Sequence, residues 1–228
     1  MALPILHAHP LSSCCQKVGI AARVLGVALD EQLLNLGDPA QRTLLDGLSP
    51  ARKMPVLVDQ GRVVAETSII IEYLQQHLAT HGVRLIPEDA DAALAVRFWD
   101  RFCDFYVMTP MQALTAELLK PERERSDEAA EAARSLLLKS YAALDAQVRG
   151  RTWLADEAFS MADCAAAPAL FYAVAYVPVP GTDADLLAYV ERLMAHPAVA
   201  DVVDAARPWF QYFPGRAGLA PRFYTADA

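Results

Sequence analysis

The alternation of apolar and polar positions divides the chain into two parts of different period. Over residues 1–80, short β-compatible runs alternate with stretches of helical spacing. Pro4-Ile5-Leu6-His7-Ala8 reads as a strand, followed by a loop over His9–Val18 that runs into a helix. In that helix Val18, Ala21, Ala22 and Leu25 recur three and four apart, and Gly26 supplies the stop. Leu29–Leu36 is a second strand candidate, although it carries Asp30 and Glu31, and Asp38-Pro39 opens a short helix to Leu48. Two β-rich runs, Val56-Leu57-Val58 and Val63-Val64-Ala65, flank Asp59-Gln60-Gly61-Arg62. They predict a hairpin, with Gly61 free to take a positive φ at the turn. Glu66-Thr67-Ser68 then opens an apolar helix, Ile69 to Leu78. Hydroxyl side chains suit a helix start because their oxygen accepts an orphan backbone N–H.

A boundary follows, where Gly82 and Pro87 punctuate the chain and Glu88, Asp89 and Asp91 favour a new helix start. Everything beyond has helical period. Over residues 90–119, Leu94, Phe98, Phe102, Phe105 and Tyr106 are spaced as one buried stripe, and Thr109-Pro110 predicts a kink or break. Pro121 and the charged run Glu122–Arg125 read as an exposed connection. An amphipathic helix is predicted from Ser126 to Val148, through Leu137, Tyr141 and Leu144, with Gly150 as its stop. Ser160 and Asp163 then stand three apart before the nearly all-apolar run Cys164–Val177, the spacing of a capping box that leads into a core helix. Residues 183–206 give one or two more helices, interrupted at His196-Pro197. The tail, Arg207–Ala228, is rich in aromatics (Trp209, Phe210, Tyr212, Phe213, Phe223, Tyr224); it either packs over a site in the first domain or covers the core.

The order strand, helix, strand, helix, hairpin, helix matches a thioredoxin-like α/β domain. The expected organisation is therefore this domain over residues 1–80, a linker over 81–90 and an all-helical domain over 91–228. In such a domain chemistry sits where the first strand gives way to the first helix, here Ser12–Cys15, because helix N-termini stabilise anions and lower thiol pKa values. The net charge of −8 argues against non-specific nucleic-acid binding and against an anionic membrane surface. No run approaches the ~18 apolar residues of a membrane span. The start, MALPILHAHP, lacks the basic and long apolar regions of a signal peptide, so a cytoplasmic protein is expected. Cys14, Cys15, Cys103 and Cys164 form no Cys-x-x-Cys pair and show no zinc spacing, which fits a reducing compartment. His7 and His9 share a strand face, with too few further ligands to suggest a metal, and none is expected. No repeat, low-complexity segment or phosphate loop occurs.

Met54-Pro55 before the first hairpin strand, followed after the hairpin by Glu66-Thr67 and an apolar helix, resembles the glutathione-binding half of the glutathione S-transferase family. Phe159-Ser160-Met161-Ala162-Asp163 resembles the folding motif of that family's C-terminal domain. The resemblance extends to about Trp209. It implies a cis peptide before Pro55, with the Met54 backbone pairing with the cysteinyl part of glutathione and Glu66 and Thr67 holding its γ-glutamyl end. Lys53 is a candidate partner for the glycine carboxylate, or a solvated lysine; Glu66 is a candidate partner for the α-ammonium, with helix-start capping as a plainer but compatible role.

Glutathione must lose its thiol proton to attack an electrophile, and a donor beside the sulfur stabilises the thiolate. Ser12-Ser13-Cys14 resembles the Ser-Ser-Cys of zeta-class transferases, with Lys17 in place of their basic residue. That comparison selects Ser12 for thiol activation, with Ser13 as rival and Cys14 as an alternative that would form a mixed disulfide. Cys15 is expected to point inward. By position, Tyr106, Met108, Met111 and the Trp209-Phe210 region are candidates for an electrophile site between the domains, each with ordinary core packing as the plainer reading; Tyr106 and Met111 are the ones selected. Asp100 and Asp104 lie on the helix that in the family faces the cleft and the partner subunit; either could reach a second glutathione across a dimer, with surface helix charge as the plainer reading. The resemblance thus implies a cytosolic homodimer that conjugates glutathione, its co-substrate, to a small hydrophobic electrophile, as in detoxification. Rival readings are a maleylacetoacetate isomerase-like enzyme, which usually has an aromatic where this chain has Gln16, a Cys-dependent thiol transferase, and a non-enzymatic binding module of the same fold.

Overall fold

The computed structural model describes residues 2–80 and 82–223; Met1, His81 and residues 224–228, with Tyr224, lie outside it. The chain divides into two compact units, Met1–Leu85 and Ile86–Ala228.

The first unit is a four-stranded mixed sheet with helices. Its elements run β1 (Ile5–Ala8), α1 (Ser13–Val24), β2 (Asp30–Leu33), α2 (Pro39–Leu48), β3 (Val56–Asp59), β4 (Arg62–Ala65) and α3 (Thr67–His77). The strand order is β2-β1-β3-β4, with β1 parallel to β2 and antiparallel to β3. This is the thioredoxin-like arrangement that the element order predicts. β2 is shorter than the eight-residue candidate: it is an exposed edge strand, and Leu34, counted into it by hydrophobicity, is buried just past its end. The hairpin corrects the expected four-residue gap. Gln60 and Gly61 both have positive φ (49° and 83°), the requirement of a two-residue type I′ turn, so the ladder extends to the pair Asp59–Arg62.

The second unit is helical: α4 (Ala90–Phe102), α5 (Thr109–Leu119), α6 (Asp127–Val148), α7 (Met161–Tyr176), α8 (Ala184–Ala195) and α9 (Pro197–Ala206). Two expectations change here. Pro110 does not break the helix, because residues Cys103–Met108 form a π-helical segment that joins α4 to α5. Proline lacks an N–H and clashes with the carbonyl four residues back. The wider turn accommodates it, the Thr109 N–H reaches back to the Asp104 carbonyl, and the Thr109 hydroxyl donates to that oxygen at 2.9 Å.

The predicted buried stripe is also overturned. Leu94, Phe98, Phe105 and Tyr106 are exposed, Leu94 by 66% and Phe98 by 57%. The buried line is Ala93, Val96, Asp100, Cys103 and Val107, and this stretch packs against α7. Two apolar faces share one helix. Small side chains on one of them let the alanine-rich α7, buried over most of its length, approach closely. Asp100, for which surface helix charge is the plainer expectation, is buried instead, and Asp104 is half-buried; Arg101 pairs with both.

Ser160 and Asp163 form the expected capping box. Asp163 also accepts from the Leu154 N–H at 2.9 Å and the Tyr189 hydroxyl at 2.6 Å, so it ties α7 to the preceding loop and to α8. The described part of the tail contributes to the core of the helical unit. Phe210 and Phe223 pack on Phe171, and Phe213 packs on Tyr172, all within the helical unit. Gly218 lies so close to α7 that a Cβ there would stand 1.9 Å from the Ala175 carbonyl oxygen.

Candidate functional site

The sheet register gathers three distant segments. His7 lies opposite Val56, and Val56 lies opposite Ala65. The end of β1, the start of β3 and the end of β4 therefore coincide at one edge of the sheet. One step beyond that edge the chain places, in turn, the corner leading to Ser12, the Met54-Pro55 peptide and Glu66-Thr67. The Met54–Pro55 peptide is cis, as the resemblance implies. Pro55 is buried, Met54 half-buried and Lys53 exposed.

Ser12 is the N-cap of α1, and its oxygen accepts the Cys15 N–H at 3.4 Å. A hydroxyl has one proton and two lone pairs, so Ser12 can accept from the helix and also make its side-chain hydrogen bond with Cys15. Ser12 is half-buried, whereas Ser13, the first helical residue, is buried. Cys14 is half-buried. Cys15 is buried, as expected: desolvation pushes its thiol up to about 12, and its sulfur accepts the His9 N–H at 3.5 Å. Such a thiol stays protonated at neutral pH, so it is the less suitable of the two neighbouring cysteines for redox chemistry.

The second corner carries an unusual backbone. Glu66 has φ 71° and ψ 125°, a region sparsely populated by residues other than glycine, and it forms no side-chain cap on α3. The capping role considered for the Glu66 side chain is therefore not taken up. Its side chain is exposed, and α3 begins with backbone N–H groups that no N-cap side chain satisfies. The other helices of this unit begin differently: Ser12 caps α1 and Asp38 caps α2. An anionic group placed beside the α3 N-terminus would complete it.

Lys17 links the two corners. It is fully buried, 0% exposed, and its Nζ donates to Ser68 Oγ at 3.1 Å, joining α1 to the second residue of α3. Sequence reading placed Lys17 only as the counterpart of a basic residue and took Ser68 as a helix-start hydroxyl; the bond between them, 51 positions apart, had no local signal. Two further residues escaped notice as site components, His9 and Gln16. His9 Nδ1 accepts the Leu11 N–H at 3.1 Å, and Gln16 Nε2 donates to the Pro10 carbonyl at 2.8 Å.

The two residues selected for the electrophile belong to the helical unit. Tyr106 is half exposed, its ring 5.1 Å from Phe102. Met111 is buried in that unit, as is Met108, with the Met111 sulfur 3.8 Å from the Thr115 hydroxyl, which suits the core reading. Phe210 is likewise buried and Trp209 half-buried. Among the described residues no group of three metal-ligating side chains occurs, and no helix is long and apolar enough to cross a membrane.

Comparison with known proteins gives consistent matches over both units. Residues 11–77 match the family model for the glutathione S-transferase N-terminal domain, and residues 92–197 match that for the C-terminal domain. A probable glutathione S-transferase of Glycine max is 24% identical over 211 residues, covering 88% of each chain. A probable maleylacetoacetate isomerase of Caenorhabditis elegans is 34% identical over 87 residues, 38% of this chain and 39% of that protein. Among solved structures, a glutathione S-transferase of Methylobacillus flagellatus with glutathione bound superposes with a TM-score of 0.79 at 26% identity, covering 87% of this chain and 98% of that one.

Proposed function

Because the chain belongs to the glutathione S-transferase family, we propose that it binds glutathione at the sheet edge shared by the Ser12, Met54-Pro55 and Glu66-Thr67 segments, and that Ser12 activates the thiol. The observation that carries this reading is the Ser12 hydroxyl, which caps α1 at the strand–helix corner and is half-buried there. A free thiol with a pKa of about 8.5 is only a few per cent thiolate at pH 7. A charge-assisted hydrogen bond from Ser12 and the partial positive charge at the α1 N-terminus both favour the anion. The Met54 backbone holds the cysteinyl part, Glu66 takes the α-ammonium, and the uncapped α3 N-terminus with Thr67 takes the α-carboxylate. Lys53 pairs with the glycine carboxylate. The activated sulfur attacks a small hydrophobic electrophile, as in detoxification.

The Ser12→Ala variant tests the assignment. The expected result is unchanged calorimetric affinity for glutathione with turnover of model electrophiles lowered about a hundredfold. Undiminished turnover in Ser12→Ala would move the role to Ser13 or Cys14, and absence of millimolar glutathione binding by the wild type would remove the reading. A further variant, Cys14→Ser, discriminates a Cys-dependent thiol transferase, whose activity would vanish in it.

A second reading, glutathione-dependent isomerisation, is supported by Ser12-Ser13-Cys14 and by the partial match to the nematode isomerase. It predicts product formation without consumption of glutathione. We further assign the protein to the cytosol as a homodimer. All four cysteines are thiols, as in a reducing compartment, and the exposed face of Leu94, Phe98 and Phe105 is suited to a second copy.

A further inference from the structure

The corner that presents Ser12 is set by side chains that no comparison assigns to the site. A turn spans His9 to Ser12, closed by the Ser12 N–H on the His9 carbonyl at 3.0 Å. Three more bonds fasten it. His9 Nδ1 accepts the N–H of Leu11, the third residue of the turn, at 3.1 Å. The His9 N–H donates to Cys15 Sγ at 3.5 Å. Gln16, 3% exposed, extends its amide back along α1 and donates to the Pro10 carbonyl at 2.8 Å. The turn is thus tied from inside by an imidazole and from the helix by an amide, and the Ser12 oxygen closes the arrangement on the Cys15 N–H.

Each tie has a definite chemical requirement. The His9 ring must offer a lone pair at Nδ1, so its proton resides on Nε2; burial lowers its pKa, in keeping with the neutral ring. Gln16 must donate, which a phenylalanine or methionine at that position would not do. Resting on the reading of Ser12 as the thiol-activating group, we propose that His9 and Gln16 are positioning residues for this reaction: they hold the His9–Ser12 turn so that the Ser12 hydroxyl is aimed at the glutathione sulfur. Neither touches the reacting atoms. A hydroxyl displaced by a fraction of an ångström still caps α1, but donates poorly to a sulfur fixed elsewhere by the Met54 and Glu66 segments.

The test compares wild type, His9→Ala, His9→Asn and Gln16→Met. Asparagine places its Oδ1 near the position of Nδ1 and can accept the Leu11 N–H; methionine keeps the length of Gln16 without a donor. For each, the thiolate absorbance of bound glutathione is titrated with pH, and kcat and the glutathione KM are measured separately. His9→Ala and Gln16→Met are expected to raise the pH midpoint of thiolate formation and to lower kcat about tenfold, with KM changed less than about threefold. His9→Asn is expected to return both values to within about threefold of wild type. Unshifted titrations in folded His9→Ala and Gln16→Met would overturn the proposal, as would a loss in His9→Asn equal to that in His9→Ala. Should His9→Ala fail to fold, Gln16→Met decides. Wild type and Ser12→Ala run in parallel separate the two claims: equal thiol titrations in these two remove the Ser12 reading itself, whereas a Ser12 effect without a His9 or Gln16 effect removes only the positioning roles.

Discussion

At the scale of single residues, the site depends on side chains whose environment matters more than their identity. Cys14 and Cys15 are neighbours in sequence, yet one is half-buried and the other is sealed beneath α1. Alkylation with iodoacetamide at about pH 8 is expected to modify Cys14 and spare Cys15, as read by peptide mass spectrometry. Burial also sets a stability trend. The folded state keeps the Cys15 proton up to about 12, whereas the unfolded chain releases it near 9. Between those values the folded state binds more protons, so stability falls as pH rises. Denaturant melts at about pH 8 and about pH 10.5 should show a larger loss in wild type than in Cys15→Ala. Glu66 makes the opposite case, being exposed and held in an unfavourable backbone conformation without capping its helix. Replacing it by Gln should weaken glutathione binding about tenfold by calorimetry and leave the melting temperature within a few degrees of wild type.

Among the elements, α7 and the α4–α5 helix show how local rules are kept or bent. Asp163 accepts from the Ser160 N–H, the Ser160 hydroxyl, the Leu154 N–H and the Tyr189 hydroxyl, all buried. Desolvation pushes its carboxyl above the usual range against the pull of those four donors. Asp163→Ala strands them and should cost about 3 kcal/mol or more, measured by denaturant unfolding. The Ser160–Asp163 spacing was readable because a capping box is a local sequence device. The π segment before Pro110 was not. Proline forbids the ordinary ladder, but whether a helix then breaks or widens depends on what packs around it.

For the whole molecule, the exposed side chains of Leu94, Phe98 and Phe105 on one helical stretch are an apolar surface suited to a partner. As a glutathione transferase proposed to pair, the protein should sediment as a dimer, and Phe98→Glu should shift it to a monomer in sedimentation velocity without loss of helical circular dichroism. A monomeric wild type would remove the pairing. This face also misled sequence reading. Leu94, Phe98, Phe102, Phe105 and Tyr106 obey helical spacing as well as Ala93, Val96, Cys103 and Val107 do. Hydrophobicity favours the larger set, whereas packing against α7 selects the smaller.

Sequence alone determined the order of elements, the boundary between an α/β and a helical part, the Ser160–Asp163 box and the three segments of the proposed site, because each rests on a pattern within a few neighbouring residues. Only the tertiary structure decided which apolar stripe is buried, that Lys17 reaches Ser68, and that His9 and Gln16 bind the corner around Ser12. Those outcomes depend on which surfaces meet once the chain has closed on itself, and periodicity carries no record of the partner across the gap.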